Sequence, residues 1–121
     1  MTTILVVEDE PAIAEVLLGI LEDAGYHVDL AINGQACLDC LAAVQPDLIL
    51  SDLVMPLLDG RGLYRTLRGQ PAYATIPFVI MTAALVQPDV TDDMYDGVVT
   101  KPFMLQDLLN TIAGCLLQNN I

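Results

Sequence analysis

Five side chains could together form one reactive site. Each of them lies at the end of an apolar segment of the chain or just after one. They are Glu8, Asp9, Asp52, Thr82 and Lys101. Carboxylates that lie close together repel one another unless a cation neutralises them. A hard divalent ion with oxygen ligands, most simply Mg²⁺, is suited to that role. Whether these residues form one site depends on the elements that carry them.

The apolar segments are short and rich in β-branched side chains, which is typical of strands. They predict five strands, at residues 3–7, 27–31, 47–52, 76–82 and 97–100. Between most of these segments, apolar residues recur at the spacing of a helix. This spacing predicts helices from Pro11 to a stop signal at Gly25, over 33–44, from the loop 54–60 to about Arg68, and from about Met104 to Leu117.

The alternation of strands and helices predicts an α/β fold, a doubly wound five-stranded parallel sheet with helices on both faces. Residues 1–121 have the length of one domain and are expected to form one. Residues 83–96 depart from the pattern, because Pro88 and the polar run 89–96 weaken any helix there. A fourth helix in that region is therefore expected to be short or irregular.

Ligands of an open parallel sheet bind beyond the carboxyl ends of the strands. Glu8 and Asp9 follow the first predicted strand, and Asp52 ends the third. Thr82 ends the fourth strand and Lys101 follows the fifth. Taken singly, each could be a helix cap, a strand-end hydroxyl or a solvated charge. Together, three carboxylates, one hydroxyl and one ammonium at the same edge favour a shared site.

The composition restricts the partners and the location that we expect. The net charge is −12, with four Lys and Arg against sixteen Asp and Glu, so direct binding to nucleic acid is not expected. No apolar run approaches the ~20 residues that span a bilayer, so no membrane insertion is expected. No basic segment precedes a long apolar stretch near Met1, which argues against a secretory signal and favours the cytoplasm.

Two of the three cysteines, Cys37 and Cys40, form a C-x-x-C pattern on a predicted helix. This pattern is compatible with a redox module or with half of a zinc site. A complete zinc site is not expected, because no second cysteine pair follows and His27 is the only histidine. We therefore interpret the cysteines as small apolar helix residues and keep a redox module as an alternative.

Four motifs carry a resemblance to a known family: VVEDEP at 6–11, PDLILSDLVMPLLDG at 46–60, PFVIMTA at 77–83 and TKPF at 100–103. In this order and spacing they resemble response-regulator receiver domains, the phosphoacceptor modules of two-component signalling. The resemblance covers essentially all 121 residues. It implies the flavodoxin-like strand order 2-1-3-4-5.

The resemblance also implies a metal site. Asp9 would bind Mg²⁺ directly, and Glu8 would contribute through a water molecule. Asp52 and the backbone carbonyl of Val54 would complete the protein ligands.

The resemblance assigns the phosphoryl group to the same edge. Asp52 would be the phosphorylated nucleophile, and Thr82 would hydrogen-bond a phosphoryl oxygen. Lys101 would pair with the carboxylate and then with the phosphate, and the Lys101–Pro102 peptide bond is expected to be cis. An aspartate can serve as nucleophile when the phosphoryl group is held in line and its charge is neutralised.

The function that the resemblance implies is that of a phosphorelay receiver. A histidine kinase or a histidine phosphotransfer protein would donate the phosphoryl group to Asp52, and the change would alter protein–protein interactions. The chain would not be a separate enzyme, but a phosphoacceptor that assists its own phosphorylation and dephosphorylation. The sequence names neither kinase nor output, and leaves open whether the chain is a stand-alone regulator or part of a larger protein.

The last predicted helix and its start carry more apolar side chains than one buried face can hold. They are Phe103, Met104, Leu105, Leu108, Leu109, Ile112, Cys115, Leu116 and Leu117. The surplus predicts an exposed apolar patch on the side of the fourth helix, fifth strand and last helix, which would serve a homodimer or an effector. A broadly buried helix is the open alternative.

Three positions, Val54, Ala84 and Val98, distinguish this chain from aspartyl phosphohydrolases or from typical receivers. An aspartyl phosphohydrolase usually needs a second Asp two residues after the nucleophile, where this chain has Val54. Receivers usually carry an aromatic residue three positions before the lysine, where this chain has Val98. In receivers, the residues two after the Asp and two after the Thr flank the path of the hydrolytic water. Here they are Val54 and Ala84, which predicts slow loss of the phosphoryl group.

Overall fold

Five parallel strands form one sheet in the order β2-β1-β3-β4-β5. The structure is a computed structural model that describes residues 1–83 and 95–119. The strands are β1 (Thr3–Val7), β2 (His27–Ala31), β3 (Leu48–Asp52), β4 (Phe78–Ala83) and β5 (Gly97–Lys101). Their order and parallel pairing confirm the predicted strand order.

Within the described residues, helices follow four of the strands. They are α1 (Pro11–Asp23), α2 (Gly34–Val44), α3 (Gly60–Arg68) and α4 (Leu105–Asn119). Local sequence explains the starts of the first three. Pro11 occupies the first turn of α1, where its missing N–H removes no helical bond. Asn33 caps α2 by accepting the Ala36 N–H at 2.8 Å, and Asp59 caps α3 by accepting the Gly62 N–H at 2.8 Å.

The sheet is buried on both faces, because alternate residues of each strand point in opposite directions. In β1, Ile4 and Val6 pack with α1 and α4, whereas Leu5 and Val7 pack with α2 and α3. The first core also includes Leu17, Leu21, Leu48, Leu50, Val79, Met81, Leu108 and Ile112. The second includes Cys37, Leu41, Ile49, Leu63, Leu67, Phe78 and Ile80. Helices on both faces confirm the predicted doubly wound architecture.

The structure differs from the sequence-based expectation at the start of β4. Residues 76 and 77 do not belong to this strand, because hydrogen bonds from Tyr73 N–H to the Gln70 carbonyl and from Ile76 N–H to the Tyr73 carbonyl keep the chain turning before Phe78. The short or irregular fourth helix was predicted within residues 83–96; Ala83 instead ends β4, and residues 84–94 lie outside the described part of the chain. No described helix has the length and apolar character that crossing a membrane requires.

The surplus apolar side chains of α4 are partly exposed. Leu108, Ile112 and Cys115 are buried, whereas Leu105 and Leu117 are exposed. This distribution supports a surplus over one buried face rather than a broadly buried helix.

The predicted patch itself is not purely apolar on the β5 side of α4. Val98 and Met104 are exposed there, but they share a groove with Thr100, Asp107 and Thr111. The surface between β5 and α4 is therefore mixed, and its use by a second copy or an effector stays a prediction.

Candidate functional site

The five predicted residues all lie at the carboxyl edge of the sheet. Glu8 and Asp9 directly follow β1, Asp52 ends β3 and Lys101 ends β5. In the register of β4, Met81 is opposite Asp52, and Thr82 is therefore one residue further along its strand.

Three carboxylates form a compact cluster at this edge. Glu8, Asp9 and Asp52 each offer an oxygen atom, and these atoms lie within 4.8 Å of one another. Glu8 and Asp52 are buried, whereas Asp9 is exposed. Hard oxygen donors at this spacing, open to solvent on one side, fit Mg²⁺, which binds through one or two carboxylates and keeps several waters.

Lys101 bridges two of these carboxylates. Its Nζ lies 3.2 Å from Asp52 Oδ2 and 3.3 Å from Glu8 Oε1. The side chain of Lys101 is 24 % exposed and that of Asp52 is 13 % exposed. Burial lowers the pKa of Lys101, but Asp52 and Glu8 more than offset this effect, so the pKa lies above its usual value. The ammonium therefore stays charged and counters part of the cluster's negative charge.

The surroundings of Glu8 disfavour its charged form. Burial, followed by the negative charge of Asp52, raises the pKa of Glu8 from 4.5 to about 7. The Glu10 N–H, which donates to Glu8 Oε2 at 3.3 Å, and Lys101 act in the opposite direction. One ammonium does not fully balance the carboxylates, so the site favours a further cation.

Thr82 is buried at the same edge, and its hydroxyl donates to the Ala83 carbonyl at 3.3 Å.

The Lys101–Pro102 peptide bond is cis, which confirms that prediction. Val54 is exposed, and the metal-binding role of its carbonyl stays a prediction.

The residues around Asp52 include two that sequence reasoning missed. Ser51 is fully buried, and its hydroxyl donates to the Asp52 carbonyl at 2.9 Å. Gly60 lies so close to the Asp52 carbonyl that a Cβ there would collide with it, and the Gly60 N–H donates to the Leu53 carbonyl at 2.9 Å. The dipeptide Asp59–Gly60 at the end of a predicted loop was the available signal for such a tight return.

The C-x-x-C pair does not have the surroundings of a reactive thiol. Burial raises the pKa of Cys37 to about 12, and burial also raises the pKa of Cys40. The Cys40 thiol donates to the Cys37 carbonyl at 3.4 Å. Since the thiolate is the reactive form, these environments do not support a redox module.

Comparison with known families agrees with this geometry. A model of the response regulator receiver domain matches residues 4–113. The chain belongs to this family. It is therefore a receiver domain of two-component signalling, and the phosphohydrolase and redox alternatives find no support.

Individual relatives show how far the likeness extends. A DNA-binding dual master transcriptional regulator, RpaA of Synechocystis sp., is 34 % identical over 96 % of this receiver and 49 % of its own length. The signal receiver domain of a histidine kinase from Syntrophus aciditrophicus is 37 % identical, with a TM-score of 0.91, over 98 % of this chain and 92 % of that one.

A third relative carries the metal. The receiver domain of sensor histidine kinase PA1611 from Pseudomonas aeruginosa is 28 % identical, with a TM-score of 0.86, over 95 % of this chain and 97 % of that one. Its structure holds a magnesium ion coordinated in the active site cleft.

The comparisons also qualify the expectation about nucleic acid. This receiver spans about half the length of the curated relatives that it matches, and RpaA is a DNA-binding protein. The expectation that no nucleic acid is bound is therefore not supported for proteins of this kind as a whole. For residues 1–121 it stays a prediction.

Proposed function

We propose that residues 1–121 form one receiver domain whose Asp52 accepts a phosphoryl group from a phosphohistidine donor in the presence of Mg²⁺. The observation that carries this proposal is the contact of Lys101 with Asp52 at 3.2 Å beside the Glu8–Asp9 pair. This contact supports the proposal because one carboxylate, Asp52, has both an ammonium and two further carboxylates as neighbours.

The transfer exchanges one bond for another. A carboxylate oxygen of Asp52 attacks the phosphorus in line, and an O–P bond forms as the N–P bond of the phosphohistidine breaks. The electron pair of the broken bond returns to the donor imidazole, which then takes up a proton from solvent. The products are an aspartyl phosphate and a neutral histidine on the donor.

Four groups of this chain would hold the metal. Asp9 and Asp52 would bind it directly, Glu8 through a water molecule, and Val54 through its backbone carbonyl. When bound, Mg²⁺ supplies positive charge that balances the phosphoryl oxygens. Ionised Glu8 is needed for this arrangement, and its raised pKa reflects the cost of holding that charge without the metal.

Two further groups would receive the phosphoryl oxygens. Lys101 exchanges its contact with the Asp52 carboxylate for one with a phosphoryl oxygen, and its charge counters the negative charge of the transferred group. The hydroxyl of Thr82, which now donates to the Ala83 carbonyl, turns to donate to another phosphoryl oxygen. Both groups lie at the same carboxyl edge of the sheet as Asp52.

The donor is a histidine kinase or a histidine phosphotransfer protein. The domain acts as a phosphoacceptor that assists its own phosphorylation and dephosphorylation rather than as a separate enzyme. The output passes through an effector or a second copy, which binds the surface of β5, α4 and the segment 83–96. A cytoplasmic location remains our prediction from the sequence.

Labelling with a small donor tests this function. Acetyl phosphate and Mg²⁺ should add one phosphoryl group to the parent, and a chelator should prevent the addition. Asp52→Asn should abolish labelling. The matched control is Asp59→Asn, since Asp59 caps α3 and Asn is an equally good cap. Labelling of the Asp52→Asn variant at the parental level would refute the assignment.

A further inference from the structure

Three exposed apolar side chains follow β2 and β3 at the carboxyl edge of the sheet, and we call them the apolar rim. Ile32 is 69 % exposed, Val54 is 66 % exposed and Leu57 is 87 % exposed. None of them contributes to either core. Large apolar side chains left this open beside a polar site are candidates for contact with another molecule.

Leu57 is the unusual member of the rim, because its φ is +70°. This left-handed conformation favours glycine and is costly for other L-residues. Packing does not offset this conformational cost, because the side chain of Leu57 projects into solvent. A strained backbone that presents an unpacked leucine beside a reactive group is a reason to look for a role in binding.

The loop that carries Leu57 is held firmly on both sides. Leu53 and Met55 are buried in the core beneath it. Leu58 lies against the start of α2, where any side chain at Gly34 would collide with it. Leu57 therefore projects from a loop whose backbone is anchored on both sides.

The rim residues follow the same strand ends that form the candidate site. Val54 and Leu57 follow Asp52 by two and five residues. Ile32 follows Ala31, whose carbonyl accepts the Glu8 N–H at 3.0 Å. The Asp52 side chain is only 13 % exposed, and a donor must bring its phosphorus within about 3–3.5 Å of the attacking oxygen. Protein surface around the donor histidine is therefore expected to reach the loops that follow β2 and β3, which carry the rim.

We infer that Leu57, supported by Ile32 and Val54, is a specificity-determining contact for a protein carrying phosphohistidine, whose surface beside that histidine is apolar. This inference rests on the proposed function and names the surface through which its donor is recognised. The three rim side chains are apolar, which favours an apolar surface against Leu57, while the carboxylates of Asp9 and Glu15, which share a groove with Ile32, favour polar groups at that end. A small phosphodonor brings no protein surface to Leu57, so the two kinds of donor should respond differently to substitution of Leu57.

The experiment compares transfer rates from small and protein donors. The small donors are acetyl phosphate and phosphoramidate. The protein donor is whichever autophosphorylated histidine kinase or phosphotransfer protein labels the parent fastest in a panel. The variants are Leu57→Asn and Leu57→Gly, which both tolerate a left-handed backbone, and Leu57→Met, which keeps an apolar side chain. Leu117→Asn is the control, an exposed leucine of α4 outside the rim.

We expect Leu57→Asn and Leu57→Gly to lower the rate constant for the protein donor by about tenfold or more. Leu57→Met and Leu117→Asn should stay within about twofold of the parent, and rates from both small donors should not change.

Equal rates from the protein donor for all variants would overturn the inference while leaving the proposed function intact. A parallel loss with the small donors would also overturn it, because Leu57 would then act on the chemistry itself. A loss that follows the disappearance of a dimer in light scattering would assign the rim to a second copy instead. Failure of every donor to label the parent would refute the proposed function as well.

Discussion

The ammonium of Lys101 lies 3.2 Å from the carboxylate of Asp52 at the carboxyl edge of the sheet. The same ammonium reaches Glu8 at 3.3 Å, so a single cation serves two buried acids. This arrangement holds the acceptor carboxylate in place before a phosphoryl group arrives. It also makes the stability of the domain depend on the charge balance of the site.

Removal of Lys101 should therefore destabilise the metal-free domain. Lys101→Met leaves two neighbouring carboxylates without their cation, and we expect the free energy of unfolding to fall by about 1–3 kcal/mol, less than for a fully buried pair. Mg²⁺ should restore part of the loss, so its effect on Tm should be larger in the variant than in the parent. Thermal unfolding with and without Mg²⁺ measures both quantities.

Arg68→Met provides the control for loss of a cation. Arg68 pairs with Asp96 at 2.7 Å, away from the acidic cluster. This variant should also be less stable, but its Tm should respond to Mg²⁺ as the parent does. An unchanged Tm in metal-free Lys101→Met would contradict the proposed role of the bridge.

The raised pKa of Glu8 predicts that Mg²⁺ binding releases a proton. Burial and Asp52 raise this pKa from 4.5 to about 7, so a fraction of Glu8 is protonated in the metal-free domain near neutral pH. Because the metal requires the ionised form, the apparent affinity for Mg²⁺ should fall as the pH drops below 7. Calorimetry at pH 6.5 in buffers of different ionisation enthalpy measures the proton count.

The same shift predicts how stability depends on pH. Between pH 4.5 and about 7 the folded metal-free domain binds more protons at Glu8 than the unfolded chain does. The free energy of unfolding should therefore decrease as the pH rises through this window. Glu8→Gln should flatten this part of the profile and abolish the proton release. A parental profile in the variant would show that another group titrates.

Two glycines should respond to alanine in opposite ways. Gly19 lies within α1, and a Cβ there would meet no atom within 4 Å. Gly19→Ala should raise the free energy of unfolding by about 0.5–1 kcal/mol, because alanine loses less backbone entropy. Gly60→Ala should lower it by roughly 1–3 kcal/mol, because a Cβ there collides with the Asp52 carbonyl and with Leu53.

Gly114→Ala is the matched control, since Gly114 lies in α4 with equally open surroundings. Denaturant titration of the three variants measures the differences. Gly60→Ala should also slow labelling by acetyl phosphate, since the collision displaces the end of β3. Equal stability of the Gly60 and Gly19 variants would contradict the close return of the loop.

The strands and the site were predictable for one physical reason. Parallel strands bring their carboxyl ends to the same edge, so Glu8, Asp9, Asp52 and Lys101 could be placed together without knowing any side-chain conformation. Their contacts were not predictable. The reach of Lys101 to Glu8 as well as Asp52 depends on how the two buried carboxylates are packed.

Backbone geometry in the loops was the other feature that the pattern could not predict. Nothing in the residue type of Leu57 indicates a left-handed conformation, which the surrounding loop imposes. The turns before Phe78 likewise override an apolar segment that was assigned to β4 from Ile76. Both differences arise from tertiary packing rather than from local preference.

Slow dephosphorylation is expected from Val54 and Ala84. Neither side chain can orient a hydrolytic water through a hydrogen bond, and Val54 is exposed two residues after Asp52. The Val54→Asn, Ala84→Glu double variant should lose its phosphoryl group faster than the parent, by up to ~10²-fold if geometry is the main contribution. Decay of the phosphorylated proteins after removal of the donor measures the rates. Equal or slower decay in the variant would remove this explanation.

The most direct test of the proposed function locates the new covalent bond. The parent is labelled with acetyl phosphate and Mg²⁺ and reduced with borohydride, which converts an aspartyl phosphate to homoserine, and is then sequenced by mass spectrometry. We expect homoserine at position 52 alone, dependent on both the donor and Mg²⁺. Homoserine at Asp9 or Asp59, or its absence under conditions that label the intact protein, would contradict the assignment of Asp52 as the phosphoacceptor.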